Sequence, residues 1–88
     1  MIMMSRKKPS DAEIRQTEHW GIWQKEPSEF PWFYDEKETC YILEGKASVV
    51  ASTGESIEFQ AGDLVVFEQG LECKWIIREK IVKRYKFG

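Results

Sequence analysis

Four glycines, Gly45, Gly54, Gly62 and Gly70, recur every eight or nine residues in the C-terminal half of the chain. Glycine suits turns that need positive φ or a close approach of backbone. The pieces between the glycines carry strand patterns. Thr39 to Leu43 is β-branched and aromatic, and Glu44-Gly45 ends it; Lys46 to Ala51 alternates small and apolar residues. Ile57 and Phe59 alternate with Glu58 and Gln60, the period of a half-buried strand. Leu64 to Phe67 is continuously apolar, as in a strand covered on both faces. Cys73, Trp75 and Ile77 share one face. Ile81 to Phe87 alternates imperfectly, with Lys80, Val82, Arg84 and Lys86 on one side. About eight short strands at this spacing predict an all-β sandwich or barrel.

The N-terminal part reads differently. Ser10 followed three residues later by Glu13 has the form of a capping box, so a helix of at most about two turns starts there. Ile22-Trp23 is a short apolar strand. Phe30 to Tyr34 is aromatic at nearly every position, and Pro31 places it at an edge or a bend. Met1 to Lys8 has no periodicity and ends in three adjacent cations. The expectation is a flexible tail over residues 1–9 and a single domain over residues 10–88.

With 88 residues the chain makes one domain, and it buries roughly 60–65% of the surface its unfolded form exposes. Aromatics at 14% supply much of the bulk that so small a core needs. The net charge of −2, from 13 basic and 15 acidic residues, provides no field for nucleic acid or an anionic membrane. No apolar run reaches the ~20 residues of a membrane span. The opening residues lack the order of a secretory signal. Two cysteines are too few for a disulfide scaffold, so a reduced, cytoplasmic protein is expected, as monomer or homodimer.

The segments Glu38 to Gly45 and Gly62 to Phe67, with Gly70, Cys73 and Trp75, resemble the small single-domain cupins. These are grouped with the ethanolamine-utilisation protein Q type and with the C-terminal domain of ureidoglycine aminohydrolases. Trp20 to Phe30 resembles the entry segment of the same group, and the likeness runs from Trp20 to Phe87. The group often has proline before the Gln69-Gly70 turn, where this chain has Glu68. The resemblance implies a cupin jelly-roll barrel (a double-stranded β-helix) with a short N-terminal helix. In metal-dependent cupins the barrel mouth holds a divalent ion on a His-x-His pair, a glutamate and a third histidine. By resemblance those places here fall to Trp32, Tyr34, Glu38 and Cys73, so the metal site is degenerate.

Side-chain parity adds to this. If Glu38 points into the barrel, so do Cys40 and Ile42. Glu38 is then either a solvated carboxylate beside Lys37 or a pocket carboxylate, available as a general base or hydrogen-bond acceptor. Cys40 and Cys73 are either small core residues or a pocket thiol pair. The aromatic segment is either packing or a ligand wall, with Trp32 and Trp75 as its candidates. His19 reads as a surface residue at the helix end, Asp63 as a turn residue, and the charges Lys80, Lys83, Arg84 and Lys86 as a solvated face.

The expected function is to bind a small polar or carboxylated metabolite in the mouth, using Trp32, Tyr34, Glu38, Cys40, Cys73 and Trp75, with no cofactor. The alternatives are an enzyme of the ureide-hydrolase or isomerase kind using Glu38 and Tyr34, a zinc-binding variant using Glu38, Cys40 and Cys73, or an interaction module that docks a partner.

Overall fold

The computed structural model describes residues 3–88. Seven strands and one helix follow in the order β1 (Met4–Lys7), α1 (Asp11–Gln16), β2 (Gly21–Lys25), β3 (Ser28–Phe33), β4 (Glu38–Ala51), β5 (Ser56–Gln60), β6 (Leu64–Phe67) and β7 (Glu72–Phe87). All pairings are antiparallel. β4 and β7 pair with each other along most of their length. β6 and β5 flank successive halves of β4, and β3 and β2 flank successive halves of β7. Two long bent strands with short ones on either side curl the sheet into a barrel.

The strands are therefore fewer and longer than the glycine spacing implies. Thr39 to Leu43 and Lys46 to Ala51 are one strand, not two, because Gly45 bends the chain without ending its pairing. Register irregularities fall between Ile42 and Ala47, with Gly45 at φ 96°. A Cβ at Gly45 would stand 2.0 Å from the Lys80 carbonyl oxygen, so only glycine lets β4 and β7 meet here. The irregularity also changes which side chains point inward. Before it the buried positions are Glu38, Cys40 and Ile42; after it the buried apolar positions are Ala47, Val49 and Ala51, with Ser48 buried between the first two. Extra residues, first in β4 and then in β7, do this, because side-chain direction alternates with period two.

The capping box forms as expected. Ser10 N–H donates to Glu13 Oε1 at 2.9 Å, and Glu13 N–H donates to Ser10 Oγ at 3.2 Å. Thr17, buried at the helix end, accepts from Arg84 Nη1 at 3.0 Å and ties α1 to β7. β3 pairs only with β7, so Pro31 sits on an edge strand where its missing N–H costs no ladder bond.

The flexible tail expected over residues 1–9 is corrected by the structure, although Met1 and Ile2 lie outside the described residues. Met4 to Lys7 pair with β6, from Met4 opposite Phe67 to Lys7 opposite Leu64. Without β1, one edge of β6 would expose its peptide groups. The three cations remain exposed, yet each faces an acidic partner. Arg6 and Lys8 approach the buried carboxylate of Asp63 at 3.9 and 2.7 Å, and Lys7 pairs with Glu13. Asp63 is thus more than a turn residue, since its Oδ2 also accepts from the Gln60 N–H at 2.9 Å.

Aromatic rings run through the core. Tyr34 stacks on Phe67 with centroids 5.0 Å apart, Phe67 meets Phe59 edge-on, and Phe59 meets Trp75 edge-on at 5.4 Å. Each such contact adds about 0.5–1.5 kcal/mol beyond the area it buries.

Candidate functional site

Four polar side chains meet beneath the barrel mouth. Glu38 opens β4 and points inward, as parity from Cys40 and Ile42 requires. Its Oε1 accepts from the Tyr34 hydroxyl at 3.0 Å, and its Oε2 accepts from Lys83 Nζ at 2.9 Å. Trp75 Nε1 in turn donates to the Tyr34 hydroxyl at 3.2 Å. Lys83 Nζ also lies over two indole rings, 4.7 Å from the centroid of Trp23 and 4.6 Å from that of Trp75. The carboxylate and ammonium side chains keep only 4% and 6% of their exposure. Such burial is sustainable because each charge has a partner and further hydrogen bonds or π-contacts.

Lys83 is the residue that sequence reasoning misplaced. It is not part of a solvated face. The signal was present: Cys73, Trp75, Ile77, Ile81 and Lys83 have one parity, and all are buried. Lys83 therefore shares the inward face of β7 with Trp75. Its charge, rather than its position, pointed outward.

Above this floor is a cavity of about 250 Å³, walled by Trp23, Phe30, Trp32, Tyr34, Trp75, Tyr85 and Phe87, with Glu38 and Lys83 at its base. Phe30 stacks on Trp75 at 6.1 Å with the rings 8° from parallel, and Trp23 meets both. Trp32 and Phe87 stand half-exposed at the rim, at 50% and 42%. Aromatic walls around a few convergent polar groups are the usual composition of a small-molecule site, and the volume lies near the lower end of such pockets.

Of the residues expected in this site, Trp32, Tyr34, Glu38 and Trp75 line the cavity. Cys40 and Cys73 do not. Cys40 is fully buried in the core, and Cys73 lies against the Trp32 carbonyl at 3.5 Å. Burial pushes the Cys40 thiol up to about 12 and the Cys73 thiol up to about 11, in both cases with a smaller push from Glu38. Both are core thiols, not pocket thiolates. Burial, reinforced by the charge of Glu38, also holds the Tyr34 phenol far above its ordinary range. His19 is exposed in the turn after α1 and does not line the cavity.

An antiparallel barrel of short and bent strands, with a ligand-sized cavity at its mouth, is a cupin. The chain belongs to the EutQ-like cupin domain family, whose model matches residues 13–85. The fold is similar to the crystal structure of a DUF861 family protein from Thermotoga maritima, with TM-score 0.94 and 42% identity over 97% of this chain and 99% of that one. It is also similar to the EutQ protein of Clostridium difficile, with TM-score 0.70 and 16% identity over 76% of this chain and 52% of that one. A putative ethanolamine utilization protein Q from Salmonella typhimurium gives TM-score 0.70 and 20% identity over 96% of this chain and 68% of that one. At those lower identities the likeness is one of fold, and the chain spans about half the length of the Clostridium protein. No curated protein matches the chain.

The residues in the mouth do not fit the divalent ion that metal-dependent cupins hold there. Both Glu38 oxygens are already engaged, one of them by an ammonium group. Among the described residues no three His, Cys, Asp or Glu side chains are grouped to hold a metal, so the zinc set Glu38, Cys40 and Cys73 does not assemble. A zinc thiolate site needs deprotonated sulfur, and burial disfavours that at both cysteines.

Proposed function

We propose that this cupin binds a small uncharged polar molecule with a flat apolar body in the mouth of its barrel. One observation carries the reading: the Glu38–Lys83 pair is buried at the base of an aromatic cavity. Aromatic walls favour a flat apolar body through contact area. A carbonyl or hydroxyl oxygen on that body would accept from Lys83 at the base. Of the two ligand types expected, polar or carboxylated, the pair favours the first. The positive charge of Lys83 is already matched by Glu38, so a ligand carboxylate would meet a neutral floor with a like charge beside it. Acid–base catalysis by Tyr34 and Glu38 has less support. The phenol is held protonated, and its hydroxyl is engaged by both Glu38 and Trp75. Two free buried cysteines agree with a reducing compartment such as the cytoplasm.

Tryptophan fluorescence tests the reading, because three of the four tryptophans line the cavity. Benzamide and benzyl alcohol should quench it saturably, and benzoate should bind at least about tenfold more weakly, a difference of 1.4 kcal/mol. Tighter binding of benzoate, or no saturable quenching by the two neutral compounds, overturns the proposal.

A further inference from the structure

We infer that Lys83 forms a covalent imine with small aldehydes that enter the cavity. The inference rests on the proposed binding of neutral carbonyl-bearing molecules, and it adds a chemical step to that binding. Lys83 is the amine lining the cavity, and the cavity walls are otherwise aromatic. Its Nζ stands where a bound carbonyl would accept a hydrogen bond. The same approach brings the carbonyl carbon to the ~3–3.5 Å that attack requires.

An ammonium group is not a nucleophile until it gives up a proton, and Glu38 Oε2 lies 2.9 Å away to receive it. The Tyr34 hydroxyl, held by Trp75, orients the carboxylate and keeps a hydrogen bond on Oε1 throughout.

The step balances without an added oxidant or reductant. Lys83 passes one proton to Glu38. The Nζ lone pair then attacks the carbonyl carbon, and the C=O π electrons move to oxygen. The proton lost from Nζ ends on that oxygen, giving a carbinolamine. Glu38 returns its proton to the departing hydroxyl, the nitrogen lone pair closes the C=N bond, and one water leaves. Ammonium and aldehyde have become protonated imine and water, and Glu38 is a carboxylate again. Aromatic walls that exclude water favour this dehydration and shield the imine from hydrolysis.

The full-length protein is incubated with limiting benzaldehyde and sodium cyanoborohydride, which reduces an imine to a stable secondary amine, and the labelled lysine is located by peptide mass mapping. Lys83 should be labelled well ahead of the exposed Lys25, Lys74 and Lys80, although it is among the least accessible lysines. Lys83→Arg keeps a cation beside Glu38 but cannot form an imine. In that variant labelling should fall to the slow rate of the exposed lysines. The mapping of the unmodified sequence stands by itself if the variant does not fold. Quenching by benzaldehyde without a Lys83 adduct overturns the imine and leaves the binding proposal standing. Absence of saturable quenching overturns both.

Discussion

Lys83 Nζ donates to Glu38 Oε2 at 2.9 Å across forty-five positions of sequence, and both side chains are almost withdrawn from solvent. A pair of this kind contributes less as a unit than the loss of either member costs. Glu38→Gln leaves Lys83 buried without a carboxylate and should cost about 3–5 kcal/mol. An isolated buried carboxylate would have given the opposite sign. The double variant Glu38→Gln with Lys83→Met should recover most of the loss. Urea denaturation of the single and double variants measures the coupling, and strictly additive losses would show that the pair is not one unit.

Tyr34→Phe removes the donor to Glu38 and the acceptor of Trp75 Nε1 while keeping the ring stacked on Phe67. The expected loss is about 1–3 kcal/mol, from a buried indole N–H left without a partner. Thermal unfolding measures it. An unchanged midpoint would mean that water replaces the hydroxyl.

Stability should fall as the solution becomes alkaline. The Cys40 thiol is raised by burial from 9.0 to about 12, and the Cys73 thiol from 9.0 to about 11. The unfolded chain loses these protons first, so the folded state binds more protons above pH ~9. The contribution is fully present below pH ~9 and is lost as pH rises through the folded values. Replacing both cysteines by alanine should flatten that part of the profile. In the folded protein both thiols should react with a disulfide reagent far more slowly than in urea; equal rates at pH 8 would contradict their burial.

Removal of residues 1–8 should cost more than about 2 kcal/mol, beyond the range of an ordinary surface change. It strips the pairing from one edge of β6 and leaves the buried carboxylate of Asp63 without Arg6 and Lys8. Hydrogen exchange should speed up in β6 before it does in β7. A loss below about 0.5 kcal/mol would mean that β1 is dispensable.

Two glycines of similar φ should respond differently to alanine. Gly45→Ala drives a methyl group into the Lys80 carbonyl and should cost more than about 3 kcal/mol, or prevent folding. Gly54→Ala, at φ 97° with open space around it, should cost only the ~1–2 kcal/mol of left-handed backbone. Equal effects would show that close approach is not what Gly45 provides.

Much of this molecule was legible in its residues. The capping box at Ser10 and Glu13, the edge position of Pro31, and the shared face of Glu38, Cys40 and Ile42 follow from local rules that act over a few residues; that this face is the inward one did not. The family resemblance placed Trp32, Tyr34, Glu38 and Cys73 in one mouth; the first three line the cavity and Cys73 does not. Lys83 is also within reach of the sequence, because parity along β7 places it with Trp75; only its charge suggests an outward face.

Other features depend on partners distant in sequence. Met4 to Lys7 has no strand period of its own and becomes a strand because β6 offers an unpaired edge. Gly45 reads as the end of a strand until the Lys80 carbonyl is seen against it. The pairing of Glu38 with Lys83 decides whether the mouth presents two costly isolated charges or one neutral polar floor. By itself the sequence determined an all-β fold and the short helix, since these rest on periodicity and turn chemistry, and its family resemblance supplied the barrel. Only the tertiary structure decided which strands are continuous, what the N-terminal residues do and which charge neutralises which. Those outcomes depend on contacts between segments whose separation the local pattern does not record.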